Sequence, residues 1–494
     1  MNLKLSFVFT IFFSCVSIAQ NGNPNDYLSA QFHKERREAL RAKMPQNSVT
    51  VFFGNPIRNR ANDVDFIYHQ DPDFYYLTGY KEPNSVLVVF SNNQTSKGGK
   101  SFNELLYVQE KNPRAEQWTG VRLGTEGAIK ELGFDTALNG AAFLNSGIDY
   151  VNFDTVFFKE FEEDTRNSKN EKADLYKLIS AFKSQIGYSE KERPQMDSNV
   201  QNEMNTKKSV TSKKATLNTK SILTFMASLR EKKSKEELVL LTKAVRISAM
   251  GQREIMKAMH PGMSETEIQG IHEFVYKKYG SEFEGYPSIV GAGNNGCVLH
   301  YIENSKTKVG NELVLMDLGA EYHGYTADVT RTIPANGKFS TEQKLIYDLV
   351  YEAQEAGIAA AKVGNSFNAP DVVARKIISA GLVRLGIVKT EQESRKYFPH
   401  GTSHHIGLDV HDPGLYTVFE ADMVVTVEPG IYIPIGSDCD KKWWGIAVRI
   451  EDDILITTNG PVNLSSEAPR KSNEIEALMS EKSVLDTFSV PSLE

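Results

Sequence analysis

Four acidic residues interrupt runs that otherwise have the composition of buried β-strand, and no other feature limits the fold so strongly. Asp317 closes the apolar run Leu313-Val314-Leu315-Met316, and Asp328 lies inside the next strand-like stretch, 325–333. Glu428 sits in "VVTVEPG" and Glu451 in "AVRIEDD". A lone acid on such a strand is ordinarily the solvent-facing residue of an amphipathic sheet. Four of them, each beside apolar β residues, point instead to buried carboxylates. These repel one another unless one is protonated or a cation lies between them.

Gly319 and Gly324 punctuate the segment "GAEYHG" between the first two acids. A hairpin centred on Tyr322–His323 would place Asp317 directly opposite Asp328, with Cβ atoms about 4.5–5.5 Å apart. Glu428 and Glu451 repeat the logic. The expectation is a polynuclear metal site.

Four of the ten histidines crowd into "HGTSHHIGLDVHD": His400, His404, His405 and His411. The i, i+4 spacing of His400 and His404 would suit a zincin helix, but that motif needs Glu after the first His and Gly401 stands there. Ile406, Leu408 and Val410 alternate like a strand. On an ideal strand His405 and His411 would share one face and His404 the other, so periodicity leaves the ligand open.

The 494 residues suggest two or three domains. Residues 28–160 look α/β, with strand-like runs at 49–54, 85–90 and 104–109. Residues 161–220 are rich in Lys, Glu, Asn, Ser and Thr, and part of them reads as a mobile polar insertion or linker. From 230 to 470 helices and hairpin-like strands predict an α+β domain. Capping boxes are expected at Ser234/Glu237, Ser264/Glu267 and Ser340/Gln343. Strands are expected at 312–319, 325–333, 423–433 and 446–457, and the last 20 or so residues read as a polar, peripheral tail.

A net charge of −7 offers no basic face for nucleic acid. The N-terminus, "MNLKLSFVFTIFFSCVSIAQ", reads as a secretory signal cleaved between Ala19 and Gln20, with export to the periplasm or medium. Its apolar run is too short for a membrane span, so the mature chain is expected to lack an anchor. Cys297 and Cys439 are expected as free thiols, two being too few for a disulfide framework.

Five segments, "NNGCVLHYIEN", "MDLGAEYHGYTADVTRT", "HGTSHHIGLDVHDPG", "VVTVEPGIYI" and "AVRIEDD", together resemble the pita-bread metallopeptidases, and within them the aminopeptidase P (Xaa-Pro aminopeptidase) branch. The stretch 58–89 resembles that branch's N-terminal domain. The implied fold is α+β: a pita-bread catalytic domain over about 221–470 after a smaller α/β creatinase-like domain over 20–220, with a tail over 471–494. The implied ligands are Asp317, Asp328, His404, Glu428 and Glu451, with Asp328 and Glu451 bridging two divalent ions. Oxygen-rich ligation with one imidazole suits Mn²⁺ better than a thiolate-loving metal, while affinity order alone would favour Zn²⁺, so Mn²⁺ is expected with Zn²⁺ and Co²⁺ left open. His300, His400 and His411 match substrate and transition-state histidines, Arg449 matches an arginine of the proline pocket, and Glu428 is the implied proton shuttle.

The resemblance implies peptides with proline second as substrates. It is compatible with a homo-oligomer, although the polar insertion leaves the interface open. His405 carries no assigned role, and His33, His69, His260, His272 and His323 read as structural or surface residues. The nearest rival is a prolidase, with the same ligands but dipeptide substrates. A metal-free peptide-binding protein of this fold would have lost ligands that are all present here.

Overall fold

The computed structural model describes residues 24–96, 98–169, 171–188 and 215–487. The segment expected to be a signal, most of the polar stretch after 188 and the last residues therefore lie outside the described residues. Among the described residues no helix is long and apolar enough to cross a membrane.

The N-terminal half is built on a six-stranded mixed sheet. Its order is Ala137–Asn139, Ser101–Val108, Val86–Thr95, Ser48–Phe53, Thr155–Phe158 and Thr216–Asn218. The central strands are continuous apolar runs because both faces are covered. One face packs Phe52, Leu87, Val89 and Leu106 with Phe32 and Leu40 of the helix Ala30–Lys43. The other packs Val49, Val51, Val86 and Val88 with Leu178 and Phe182. These last two belong to the helix Leu175–Gln185, capped by Asp174. Between the polar runs of 161–220 the chain thus forms a packed amphipathic helix. Its apolar residues recur at 175, 178 and 182, a helical spacing hidden by polar composition.

The C-terminal half wraps short sheets with the long helices Lys235–Ala258, Glu265–Lys278, Thr341–Ala360 and Ala369–Arg384. Full capping boxes form at Ser234/Glu237 and Ser340/Gln343. At Ser264 the hydroxyl accepts from Glu267 N–H, the first half of the expected box. The tail is not wholly peripheral, since Ile475 and Leu478 of the helix Ser472–Met479 are buried in the core of the C-terminal half. Cys297 and Cys439 are free thiols, as expected.

The two halves meet through side chains that sequence alone gave no role. His69 Nε2 lies 2.8 Å from Glu321 Oε1, and Tyr76 donates its hydroxyl proton to Leu229 O at 2.8 Å. His323 sits between Asp26 and Glu282, one carboxylate at each ring nitrogen.

Candidate metal centre and substrate cleft

Three of the four strands expected around the acids break where the acid stands. Residues 325–333 divide into Tyr325–Thr326 and Thr330–Pro334, with Asp328 between. Residues 423–433 divide into Val424–Val427 and Gly430–Ile433, with Glu428 between. Residues 446–457 divide into Ile446–Arg449 and Asp452–Thr457, with Glu451 between. In every case the two pieces join different sheets. The chain bends at the crossing, and the backbone there finds partners across the site. Glu451 N–H donates to Thr330 O at 3.1 Å, Glu428 N–H to Thr402 O at 2.9 Å, and Asp328 N–H to Asp453 Oδ2 at 3.0 Å.

The hairpin register also differs from expectation. Asp317 faces Thr330, and Tyr322 faces Tyr325, so the turn centres on His323–Gly324 rather than Tyr322–His323. Both turn residues have positive φ, 51° and 90°, the geometry of a tight two-residue hairpin turn, and glycine is the residue that adopts it freely. The correction moves Asp328 two residues along its arm, from direct to diagonal opposition. Both carboxylates still reach one group, the Tyr286 hydroxyl, so the two acids face the same site.

The histidine segment is a loop, not the alternating strand expected, although His405 makes an isolated bridge to Val425. The loop separates the histidines differently from an ideal strand. The His404 and His411 rings approach to 4.3 Å between centroids, while His405 is fully buried against Phe367 and Tyr416.

All the candidate residues line one cavity of about 280 Å³: Asp317, Asp328, His404, Glu428, Glu451, His300, His400, His411 and Arg449. Asp328, His404 and Glu451 bring one ligand atom each within 4.8 Å of one another. His404 Nε2 lies 3.5 Å from Asp328 Oδ2 and 3.6 Å from Glu428 Oε1. Arg449 donates to Asp317 Oδ2 at 2.6 Å and to the Tyr432 hydroxyl at 3.0 Å. That hydroxyl is 2.8 Å from His400 Nε2. His300 and His411 are exposed at the rim.

Three further residues, to which the sequence reading gives no role, belong to the site, although Thr330 and Tyr432 fall within the quoted segments. Tyr286 Oη lies 2.5 Å from Asp317 Oδ1 and 2.6 Å from Asp328 Oδ1. Its ring passes Gly319, where a Cβ would sit 2.5 Å from it. Thr330 donates to Glu451 Oε2 at 2.6 Å, and Tyr432 joins His400 to Arg449. Tyr286 lies in a loop and Thr330 in a strand, and only the folded chain brings them to the acids.

The electrostatics show what this donor set lacks. Burial, then the charges of Asp317 and Asp453, pushes the Asp328 carboxyl well above the usual range. Burial, then Asp328, Glu428 and Asp317, does the same to Glu451. Burial raises Glu428 to about 7 against the opposing pull of His404 and Arg449. Asp317 alone falls, because the Arg449 charge and the Tyr286 hydrogen bond outweigh its burial. One arginine does not balance four buried acids. Divalent cations would, and oxygen donors with one imidazole fit them. Burial, with Arg449 nearby, lowers His400 to about 4 and leaves its ring neutral near pH 7.

An α+β catalytic domain that gathers four carboxylates and a histidine on the floor of a histidine-rimmed cleft is the architecture of a metallopeptidase. Comparison with known proteins is consistent along the chain. Residues 239–458 match the model for metallopeptidase family M24, and residues 33–146 match the aminopeptidase P N-terminal domain. The Xaa-Pro aminopeptidase of Escherichia coli (strain K12) is 34% identical, with 92% of this chain and 98% of the relative covered. Xaa-Pro aminopeptidase 3 of Rattus norvegicus is 32% identical, with 92% of this chain and 85% of the relative covered. The solved structure of E. coli aminopeptidase P with the inhibitor Pro-Leu superposes with a TM-score of 0.79 at 33% identity, covering 92% of this chain and 98% of that one. The chain belongs to the aminopeptidase P family of M24 metallopeptidases.

Proposed function

We propose that this chain removes the N-terminal residue from peptides that carry proline in the second position. The observation that carries the reading is the convergence of every candidate ligand and substrate residue on one cavity. It does so in a chain that spans nearly the whole length of an E. coli Xaa-Pro aminopeptidase.

Asp317, Asp328, His404, Glu428 and Glu451 would hold two divalent ions, Mn²⁺ being the best match to the donor set. When bound, such ions polarise the scissile carbonyl and lower the pKa of an attacking water. The protein's own groups do the rest. His300 and His411, at the rim, donate N–H to the oxygen that gains charge in the transition state. Glu428 carries a proton to the leaving nitrogen. It is the least buried of the four acids, with 18% of its side chain exposed against 11% for Asp317, 7% for Asp328 and 2% for Glu451. Proline at the cut has no N–H for an enzyme to read. The wall formed by His400 and Arg449, which Tyr432 joins from behind, recognises the ring and the peptide beyond it.

The test is a competition between Ala-Pro and Ala-Pro-Ala at equal concentration, with Mn²⁺, Zn²⁺ or Co²⁺ added to chelated protein. The expected result is a higher kcat/KM for the tripeptide and retained cleavage of amidated Ala-Pro. Preference for the free dipeptide would make the protein a prolidase. For the N-terminus we propose export after cleavage between Ala19 and Gln20, supported by the charge and apolar pattern of the first residues. N-terminal sequencing of the active protein should return Gln20, and Met1 would overturn it.

A further inference from the structure

Asp412 directly follows His411, and its carboxylate is buried between two cations. Arg230 Nη2 donates to Asp412 Oδ1, and Lys233 Nζ lies 3.1 Å from Oδ2. Arg230 also donates through Nη1 to Asp73 Oδ1 at 2.6 Å, and Lys159 Nζ reaches Asp73 Oδ2 at 2.5 Å. Asp73, Arg230, Lys233 and Asp412 are all buried. They come from three parts of the chain. Asp73 is in the helix Pro72–Thr78 of the N-terminal domain, Arg230 and Lys233 are in the segment joining the domains, and Asp412 is in the histidine loop.

The joining segment lies along that loop. Glu231 Oε2 accepts the Leu415 N–H at 2.9 Å, and Lys233 N–H donates to Asp422 O at 2.8 Å. Asp412 N–H donates back to His405 O at 3.0 Å and closes the loop. Gly407 leaves room for the ion pair: a Cβ there would sit 2.6 Å from Asp412 Oδ2 and 3.0 Å from Lys233 Cε. His411 itself is exposed at the cleft rim, with its ring against that of His404.

We infer that Asp412 is a positioning residue for His411, and that the N-terminal domain acts on the active site through Asp73 and Arg230. A buried carboxylate held by two cations has few low-energy positions, because moving it strands charge in a low-dielectric interior. The planar peptide between residues 411 and 412 passes that constraint to the His411 backbone. The catalytic part of this inference rests on the peptidase reading, in which His411 stabilises the transition state.

The test uses the full-length, Mn²⁺-loaded protein and Ala-Pro-Ala as substrate. Asp412→Asn should lower kcat by about 10- to 100-fold, the scale of a sub-ångström to ångström misplacement. KM should change by less than about threefold and metal content not at all. In a His411→Ala background the same substitution should remove less than about threefold more, since its effect runs through His411. Asp73→Asn should give a smaller loss, absorbed in the same way. Losses that multiply in the double variants, or wild-type kcat in Asp412→Asn, overturn the inference. If Asp412→Asn does not fold, Asp73→Asn decides by the same criterion. If the wild-type protein cleaves no Xaa-Pro peptide, the peptidase reading falls by itself. The positioning claim is then judged on Zn²⁺-loaded protein by the His411 Cε1–H NMR signal, assigned by its loss in His411→Ala. That signal should shift in both aspartate variants, and an unchanged position overturns the claim.

Discussion

Arg449 donates from Nη2 to Asp317 Oδ2 at 2.6 Å, so the guanidinium that walls the cleft also steadies a carboxylate of the proposed metal centre. Its other donors reach the Tyr432 hydroxyl and Thr330 Oγ1. Three directed contacts suit a planar fork and not a point charge. Arg449→Lys should therefore lower kcat/KM for Ala-Pro-Ala by about tenfold, and Arg449→Met by about 100-fold. Steady-state kinetics on the two variants checks this. Equal activity of the lysine variant and wild type would contradict the directed role.

The histidine loop yields three separable outcomes. His404→Ala should lose metal, measured by elemental analysis, because its ring nitrogen lies among the acids. His411→Ala should keep metal and lose chiefly kcat. His405→Ala should leave metal content unchanged but lower the thermal midpoint. Its ring is fully buried between Phe367 and Tyr416, and Gly414 gives it space, with a Cβ there only 2.1 Å from its Cδ2. Burial lowers its pKa to about 3, so the ring is a neutral packing group. The cavity left by alanine should cost about 2 kcal/mol. Exchanged phenotypes for His404 and His405 would reverse the assignment.

Chelation should weaken the fold as well as stop turnover. Asp328 and Glu451 are buried and crowded by like charge, so a bound cation stabilises the native state alone. Restoring Mn²⁺ to 100 times its dissociation constant should return about 2.7 kcal/mol of stability. Calorimetry of chelated and reloaded protein reads this directly. A thermal midpoint indifferent to metal would argue against these acids as ligands.

The acids could be found in the sequence because buried charge within an apolar strand has few explanations. The strand breaks could not, because a strand that crosses between sheets keeps its Val and Ile on both sides of the crossing. The hairpin register was misplaced by two residues because His323 takes a positive φ that its residue type does not announce, whereas Gly324 does. Composition alone hides the helix Leu175–Gln185 within the polar stretch after 161, since three apolar residues at helical spacing are enough to dock it. Tyr286, Thr330 and Asp412 became site or near-site residues only through tertiary contacts.

The join between the domains should show its own acid sensitivity. Burial alone would raise the Asp73 carboxyl, but Lys159 and Arg230 outweigh it and bring it from 3.8 down to about 2. A carboxylate with a depressed folded-state pKa contributes stability that is fully present above its unfolded value. That stability is lost as pH falls through the folded value, so the window runs from about 4 down to about 2. Asp73→Asn should lower stability at neutral pH, because Arg230 and Lys159 lose a shared partner in a buried site. It should also flatten the pH dependence within that window, since the variant has no proton to take up there. Thermal midpoints measured from pH 5 to pH 2 for both proteins give the comparison. Parallel curves would mean that Asp73 is not the group being titrated, and that the acid sensitivity arises elsewhere in the chain.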